Sequence, residues 1–308
     1  MLTGGYHHGN FTEKIDFAVV FAVSHANPNG DPLTGNRPRE TYDGYGEISD
    51  VCLKRKIRNR LMDLGQPIFV QSDDRSNDGH KSLKERADAN PELKKAGKDK
   101  DSFAKAACQS WIDVRSFGQV FAFKGKGKSG DGVSVGVRGP VSIHSAFSVD
   151  PIISSSLQIT KSVNGEPSKK QNSETTDSET TDRDKMSSDR MGMKHRVDFG
   201  LYVTYGSINC QLAEKTGFTS DDAELIKEAL HTLFENDVSS ARPDGSMEVV
   251  KLYWWEHKCK DGQYSSAKVH RLLHIVKKDG VESARSAEDY QITCDKLPNL
   301  DVKVYDEI

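Results

Sequence analysis

The order of strand-like and helix-like segments restricts the fold of this chain more than any other feature of its sequence. Residues 15–24 (IDFAVVFAVS) form an apolar run bounded by charge and by a turn-forming cluster, which predicts a central strand. A helix is predicted at residues 49–64, because Ser49 or Asp50 can cap its first turn and Gly65 can end it. Its buried face is predicted from apolar residues at helical spacing, namely Val51, Leu53, Ile57, Leu61 and Leu64.

Three more strands and a second helix are predicted downstream. The strands are expected at residues 131–149, 195–209 and 248–256, and the helix begins at Thr219 or Ser220 with acidic residues in its first turn. The order is therefore strand, helix, insertion, strand, loop, strand, helix and strand. This order predicts an α+β domain of the split βαβ, or ferredoxin-like, type with an enlarged first crossover.

Three segments stand outside this order. Residues 66–130 contain helical pieces, many charges and few apolar anchors, which is typical of an insertion. Residues 164–190 contain no aliphatic or aromatic side chain except Met186, and this composition predicts a flexible loop. Residues 267–278 and the last twenty residues are predicted to form accessory strands.

Composition excludes several classes of protein. The formal net charge of -3 excludes a uniformly basic nucleic-acid coat, so any nucleic-acid site must be local. The cysteines are scattered without a CxxC pair, which favours a reducing cytoplasm over a disulfide framework or a zinc site: Cys52, Cys108, Cys210, Cys259 and Cys294. No stretch approaches the roughly 18 apolar residues of a membrane span. We therefore expect a cytoplasmic protein that does not contact a membrane.

Positive charge is concentrated in the first predicted helix. The basic residues there are Lys54, Arg55, Lys56, Arg58 and Arg60, and Asp50 is the only acid among residues 50–60. Such unbalanced charge repels itself, which predicts a polyanionic partner, although a solvated helix face is the alternative. Two further basic clusters adjoin glycines, namely Arg138 in GVRGP and Lys194, His195 and Arg196 after RMGM. These clusters favour contact with a nucleic-acid backbone.

Short motifs for metal or nucleotide chemistry are incomplete. The NPNGDP loop begins like an EF-hand calcium loop, but prolines stand at the sixth and twelfth positions of that pattern. Residues 124–129 (KGKGKS) end like a phosphate-binding P-loop, but strand and turn residues follow instead of a helix. The histidines lack ligand spacing, and GxSxG and HExxH signatures are missing. No catalytic residue, metal or cofactor is therefore predicted.

Several long motifs resemble, in the same order, the Cas7-type backbone subunit of the type I-C CRISPR Cascade complex, a member of the RAMP superfamily of RNA-binding proteins. The motifs are NPNGDP, GNRPR, ISDVCLKRKIRN, VRSFGQVFA, GVRGPVSIHSAF and RMGMKHRVDFGLYVTYGSIN. The resemblance spans most of the chain and is weakest at residues 70–105 and 164–190. Several long motifs in order are far more specific than any short pattern.

The resemblance implies a subunit shaped like a right hand. An RRM-like palm is expected to comprise residues 11–65, 131–152 and 196–260. A helical fingers insertion is expected at 66–130, and a thumb hairpin at 153–195 contains the flexible 164–190 loop. Residues 261–308 are expected to add accessory strands to the palm.

The resemblance also implies a function in RNA-guided interference. Copies of such a subunit polymerise along one CRISPR RNA (crRNA) as a helical filament, and the thumb of each copy displaces a guide base at regular intervals. The guide is thereby presented to target DNA. The implied partners are crRNA, target DNA through the guide, neighbouring copies of the chain, and the guide-processing, large and small subunits of Cascade.

The implied RNA-binding residues lie in the three basic clusters and in the loop before the first helix. They are Asn27, Asn29, Gly30, Arg37, Ser49, Lys54, Arg55, Arg58, Arg138, Lys194, His195 and Arg196. Met191 or Met193 is expected to be the wedge at the displaced base, because a flexible thioether tolerates any base beside it. Packing at the base of the thumb is the alternative role of these methionines.

Two other functions remain open from the sequence. Related superfamily members cleave target RNA through an acidic loop residue or process precursor RNA with a histidine, so Asp31 and His195 define a possible RNase. A self-assembling structural protein without nucleic acid is the third hypothesis, but it leaves the three basic clusters without a role.

Overall fold

The computed structural model of the chain describes residues 9–76, 78–97, 99–122, 134–160 and 191–306. The KGKGKS segment at 124–129 and the predicted flexible loop at 164–190 lie outside the described residues. Within the described ranges, no helix is both long enough and apolar enough to cross a bilayer.

The strands are β1 Ile15–Ala26, β2 Gly30–Asp31, β3 Arg37–Pro38, β4 Tyr45–Ile48, β5 Gly118–Ala122, β6 Ser134–Arg138, β7 Val141–Ile143, β8 Ala146–Pro151, β9 Ser154–Thr160, β10 Met191–Ile208, β11 Met247–Glu256, β12 Leu273–Lys277, β13 Tyr290–Cys294 and β14 Val302–Asp306. The helices are α1 Asp50–Asp63, α2 Leu83–Ala89, α3 Pro91–Ala96, α4 Lys100–Ser110, α5 Ile112–Phe117, α6 Cys210–Thr216, α7 Ser220–His231 and α8 Ser266–His270. Helices and a large antiparallel sheet together make this a mixed α/β fold.

Strand β1 lies in the middle of the large antiparallel sheet. The strand order is β14-β11-β1-β10-β8-β4, and β7 and β9 also pair with β10. The first nine residues of β1 are all buried, because both faces of the sheet are covered at this point. A strand covered on both faces needs a nearly continuous apolar run instead of alternation, which explains the pattern at residues 15–24.

Two hydrophobic clusters cover the two faces of this sheet. On one face, helices α1 and α7 pack through residues such as Leu53, Ile57 and Ile226. On the other face, α8 and the β12–β13 hairpin pack through Val269 and Tyr290. The C-terminal region therefore closes the face of the sheet opposite the two long helices.

The main predicted helices and strands are confirmed. The helix predicted at 49–64 is α1, and its cap Ser49 accepts a hydrogen bond from the Cys52 amide at 3.2 Å. The second helix is α7, where Thr219 and Asp222 form a capping box. The strands predicted at the start of the chain, after the loop and after α7 correspond to β1, β10 and β11.

Three local predictions were wrong. Val51 was placed on the buried face of α1 but is 71% exposed, because it lies about 200° of helix rotation from Leu53. The single strand predicted at 131–149 is divided into β6, β7 and β8, and Pro140, which has no N–H to donate, stands at the first break. The first half of the strand predicted at 267–278 is the short helix α8.

The insertion after α1 has a hydrophobic core of its own. Its helices α2 to α5 pack with the β5–β6 ladder around aromatic residues that include Phe69, Trp111 and Phe121. Strand β6 pairs with β5, and Val135 of β6 enters the same cluster. Strand β6 therefore packs with the insertion, whereas β7 and β8 pair with β10 of the large sheet.

Two buried carboxylates join the insertion to the rest of the chain. Asp113 of α5, 1% exposed, accepts the Arg58 Nε hydrogen bond at 3.0 Å and two backbone amide hydrogen bonds at 2.7 and 3.0 Å. Asp222 of α7 accepts two hydrogen bonds from the Arg115 guanidinium, at 2.9 and 2.7 Å. The insertion is therefore held against both long helices by paired charges.

A buried carboxylate–imidazole pair joins the first strand to the segment after β11. Asp16 and His257 are both 0% exposed, and His257 Nε2 lies 2.8 Å from Asp16 Oδ2. The amide of Gln263 donates to His257 Nδ1 at 2.9 Å, so in the neutral ring Nε2 carries the proton that Asp16 accepts. Lys14 Nζ lies 3.3 Å from the same carboxylate. Asp16 and His257 are 241 positions apart in sequence, so no local pattern pointed to their pairing.

The Asp16 carboxyl titrates below its ordinary range. Burial alone raises the pKa of Asp16, but hydrogen bonds to its carboxylate and the charge of Lys14 outweigh that effect and hold the pKa below its usual value. A carboxyl with a depressed folded-state pKa stabilises the fold above its unfolded-state pKa of about 3.9. That stabilisation is lost as the pH falls through the folded-state pKa.

We expect Asp16→Asn to lower the free energy of unfolding by about 3 kcal/mol at neutral pH, because it leaves Lys14 buried without its counter-charge. Urea denaturation followed by circular dichroism measures the change. The difference from the wild-type protein should shrink as the pH falls below about 4. Asp295→Asn is the matched control, because the Asp295–His274 pair is 70% and 50% exposed and should contribute little. Equal effects of the two substitutions would contradict the structural role of Asp16.

Candidate nucleic-acid interface

The loop between β1 and α1 is fastened to the start of the helix. Oδ1 of Asn29 accepts hydrogen bonds from both the backbone N and the Oγ of Ser49, each at 3.0 Å. Ser49 in turn caps α1. The loop and the positive end of the helix dipole therefore form one rigid unit, which is a favourable arrangement for an anion.

Inside this loop, two of the predicted RNA-binding residues shape the backbone. Asn27 is 4% exposed, and its Nδ2 donates to the Asn36 carbonyl at 2.7 Å. Gly30 lies in the β2–β3 ladder, where a Cβ atom would be 2.0 Å from the Asn36 Oδ1 atom. Arg37 on the neighbouring strand is exposed. Arg37 is thus an exposed cation of this loop, and the exposed acids Glu40 and Asp43 lie further along the same loop.

The basic residues of α1 have partners within the chain. Each one contacts an acid, a hydroxyl or a carbonyl, most of them from distant segments. The contacts are Lys54 to Asp50, Arg55 to the Val70 carbonyl, Lys56 to Asp237, Arg58 to Asp113 and Arg60 to Thr232. Lys54, Lys56 and Arg58 are paired with acids, whereas Arg55 and Arg60 contact neutral acceptors. The positive charge of this helix is therefore partly balanced, by acids of which Asp113 and Asp237 are far away in sequence.

The five cations differ in how accessible they remain. Lys56 is 3% and Arg58 12% exposed, and Arg58 also lies over the Phe117 ring at 5.2 Å. Burial lowers the pKa of Lys56 below its usual value, and the charge of Asp237 opposes this effect. Lys54 is 27% exposed and forms an ordinary i,i+4 pair. Lys56 and Arg58 therefore hold the fold together, whereas Lys54 can turn to an external anion.

The predicted basic cluster of β10 is divided between two faces of the β9–β10 hairpin. Lys194 lies opposite Leu157, His195 opposite Ser156 and Arg196 opposite Ser155. Successive side chains of a strand point to opposite faces, so Lys194 and Arg196 share one face and His195 lies on the other. His195 Nδ1 forms a hydrogen bond with the Ser156 hydroxyl at 2.8 Å.

Met193 is the one of the two predicted wedge residues whose side chain lies within the described residues. It is 55% exposed and shares a face of the hairpin with His195. The alternative of packing at the base of the hairpin therefore finds no support at Met193, since more than half of the side chain is open. Met191 lies in β10, opposite Thr160, and its side chain is outside the described residues.

Arg138 belongs to another sheet. It ends β6, lies opposite Gly118 of β5, and is exposed. The β5–β6 ladder is separate from the large sheet that contains β10. The predicted RNA-binding residues therefore come from three structural units, namely the β1–α1 loop with α1, the β9–β10 hairpin, and the β5–β6 ladder of the insertion.

The two residues that would define an RNase lie on separate elements. Oδ1 of Asp31 accepts a hydrogen bond from the Leu33 amide at 3.1 Å and lies 3.7 Å from Arg39, whereas His195 is in the β9–β10 hairpin. In the part of the chain that the structure describes, no group of three or more His, Cys, Asp or Glu side chains could hold a metal ion.

Comparison with known proteins identifies the family. Residues 13–295 match the family described as CRISPR-associated protein Cas7. The chain is also 26% identical over 309 residues to the CRISPR-associated protein Cas7 of Haloferax volcanii, covering 96% of this chain and 84% of that relative. This chain belongs to the Cas7 family of CRISPR-associated proteins.

Solved structures with similar chains include two complexes. A chain of a "CRISPR RNA-guided surveillance complex, pre-nicking" is 14% identical with a TM-score of 0.41, covering 79% of this chain and 78% of that one. A chain of a "CRISPR RNA-guided surveillance complex" is 16% identical with a TM-score of 0.44, covering 87% of this chain and 78% of that one. These similarities are too low to add to the family match.

We expect Arg58→Ala to lower the free energy of unfolding by about 3 kcal/mol, because it removes the counter-charge of the buried Asp113. Lys54→Ala removes a partly exposed pair and should change that free energy by at most about 0.5 kcal/mol. Urea denaturation of both variants checks this difference. If the two substitutions had the same small effect, Arg58 would be available for an external ligand and not a structural residue.

Proposed function

We propose that this protein is the crRNA-binding backbone subunit of a type I-C Cascade complex, which polymerises along the guide RNA and presents it for pairing with target DNA. The observation that carries the proposal is the Cas7 family match over residues 13–295. The type I-C motifs of the sequence support the subtype. The guide-processing, large and small subunits are the proposed partners, together with neighbouring copies of the chain.

The proposed palm is RRM-like. Its strands β1, β8, β10 and β11 would be the four strands of a split βαβ domain in chain order, with α1 after the first and α7 after the third. The observed order β11-β1-β10-β8 is the 4-1-3-2 arrangement expected for such a domain. In this proposal the insertion at 66–130 is the fingers and the β9–β10 hairpin belongs to the thumb.

The proposed guide interface uses exposed cations for phosphate contacts. Arg37, Arg138 and Lys194 are exposed, and Lys54 is partly exposed beside the capped start of α1. Phosphate contacts position RNA without reading its sequence, and guide–target pairing supplies the sequence recognition. Asn29 and Ser49 would keep the wall of the groove rigid, and Asn27, Gly30 and Arg58 would shape it from inside.

The remaining predicted residues have narrower proposed roles. Arg55 and Arg196 would add charge at the edges of the guide track, and His195 would lie beside the guide on the face of the hairpin that carries Met193. Met193 is the proposed wedge at a displaced base, because its thioether is exposed and flexible. None of these roles requires catalysis. The RNase alternative is not favoured, because Oδ1 of Asp31 already caps the turn that follows it by accepting the Leu33 amide hydrogen bond.

The decisive experiment measures the guide RNA retained by the complex. The triple substitution Arg37→Glu, Arg138→Glu and Lys194→Glu should reduce the RNA that copurifies with the tagged subunit and its operon partners by on the order of tenfold or more in physiological salt. The loss should be equal for two guides of unrelated sequence, because phosphate contacts are independent of base identity. RNA is quantified after extraction and sequenced.

The matched control reverses three exposed lysines outside the proposed groove, Lys215→Glu, Lys258→Glu and Lys296→Glu, and so changes the net charge by the same amount. It should retain the guide. Undiminished RNA in the groove variant would refute the proposed function. Loss that depended on guide sequence would refute the phosphate-contact mechanism.

A further inference from the structure

A cleft of about 750 Å³ lies where the C-terminal region meets the base of the β9–β10 hairpin. The end of β1, the end of β8 and the first part of β10 form one wall. The segment from Lys277 to Tyr290, which joins β12 to β13, forms the other. This volume is within the range of pockets that hold small organic ligands, roughly 300–1,000 Å³.

Three cations line the cleft. Nε of Arg196 is buried without a hydrogen-bond partner among the described residues, and it forms an ion pair with the Asp198 carboxylate at 3.8 Å. Lys277 Nζ donates to the Glu282 carbonyl at 3.0 Å, which is a neutral acceptor and leaves the ammonium charge uncompensated by that contact. Arg285 is exposed. The two arginines and the lysine come from opposite walls of one cleft.

Two of the three acids in the cleft are already occupied. The Ser155 hydroxyl lies 2.7 and 2.8 Å from the two oxygens of Asp198. Asp150 accepts the Tyr290 hydroxyl at 2.8 Å. The third acid, Glu282, is exposed. The cleft holds as many acids as cations, but among the described residues Lys277 and Arg285 form no ion pair, so their charges are open to an anionic ligand.

We propose that this cleft binds a nucleotide unit of single-stranded RNA, with the phosphate held by Arg196, Lys277 and Arg285. The inference rests on the proposed function, because Arg196 already belongs to the proposed guide track. Apolar surface of Ile152 and Phe199 lines the same cleft and suits a sugar or base. The region 261–308 thereby contributes to RNA binding in addition to covering the sheet.

The proposal accounts for the buried Nε of Arg196, which lacks a hydrogen-bond acceptor among the described residues. A buried donor without a partner costs free energy, and a phosphate oxygen is the acceptor that matches an arginine fork best. The β12–β13 segment supplies two further cations at the same cleft, so the anion would be held from both walls. A phosphate placed there would continue the track of exposed charge that begins at Lys194 on the same face of the hairpin as Arg196.

The test uses the full chain and a fluorescein-labelled, 30-nucleotide single-stranded RNA, with affinity measured by fluorescence anisotropy across a range of salt concentrations. The cleft variant carries Lys277→Glu and Arg285→Glu. Loss of two phosphate contacts should weaken binding about tenfold in physiological salt and reduce the slope of log affinity against log salt by about 1.4. Lys277→Gln with Arg285→Gln should shift both quantities in the same direction and guards against misfolding caused by the new acids.

The matched control carries Arg271→Glu and Lys278→Glu, which are exposed residues of the same region that do not line the cleft. It should keep the wild-type affinity and slope. Equal weakening in the cleft and control variants would overturn the proposal, since the effect would then be one of overall charge. Unchanged RNA binding with lost self-association in the cleft variant would also overturn it, because the cleft would then hold protein.

The outcomes separate this inference from the proposed function. If the Arg37, Arg138 and Lys194 variant loses RNA while the cleft variant keeps it, the cleft proposal fails and the proposed function stands. If the cleft variant loses RNA while the groove variant keeps it, the proposed function fails and RNA binding at the cleft stands by itself. If neither variant changes RNA binding, both fail.

Discussion

The Asp113 carboxylate is the contact on which the arrangement of the other elements depends. It is almost fully buried, and a buried carboxylate is tolerated only when its oxygens are paired. Its partners are Arg58 of α1 and the amides of Phe69 and Val70, which follow that helix. One side chain of the insertion thus determines how the insertion sits against α1. The Arg115–Asp222 pair does the same for α7.

This arrangement changes how the positive charge of α1 should be understood. Much of the charge that the sequence concentrates there is neutralised by acids of other segments, and two of its cations are nearly buried. The charge available to a polyanion is instead spread over Arg37, Arg138 and Lys194, on three separate units. Binding distributed in this way would depend on the relative placement of those units, and the buried ion pairs fix one of them, the insertion with its β5–β6 ladder, against α1 and α7.

The sequence predicted the elements well where the signal was local. The apolar run of β1, the Ser49 cap and the Thr219 capping box each lie within a few neighbouring residues. Each can therefore be recognised from a short stretch of sequence. Long motifs in a fixed order also pointed to the family that the comparison then identified. The proposed palm boundaries and RNA contacts came from that resemblance and stay predictions.

What the sequence could not predict is long-range pairing. Arg58 and Asp113 are 55 residues apart, Lys56 and Asp237 are 181 apart, and Asp16 and His257 are 241 apart. Each pair forms only after the chain has folded, so its members look like isolated charges in sequence. The same reason hides the cleft, because Arg196 and Lys277 line it from two segments that are distant in sequence.

The alternation along β10 has a consequence for how the hairpin can vary. Lys194 and Arg196 face one way and Met193 and His195 the other, in a ladder whose register is continuous with the buried Val197. Inserting or deleting a single residue between Met193 and Val197 would exchange the two faces relative to the sheet. Changes of two residues would preserve the faces and alter only the reach of the arm. Only insertions or deletions of an even number of residues are therefore compatible with this strand. A substitution of one side chain, by contrast, leaves the two faces as they are.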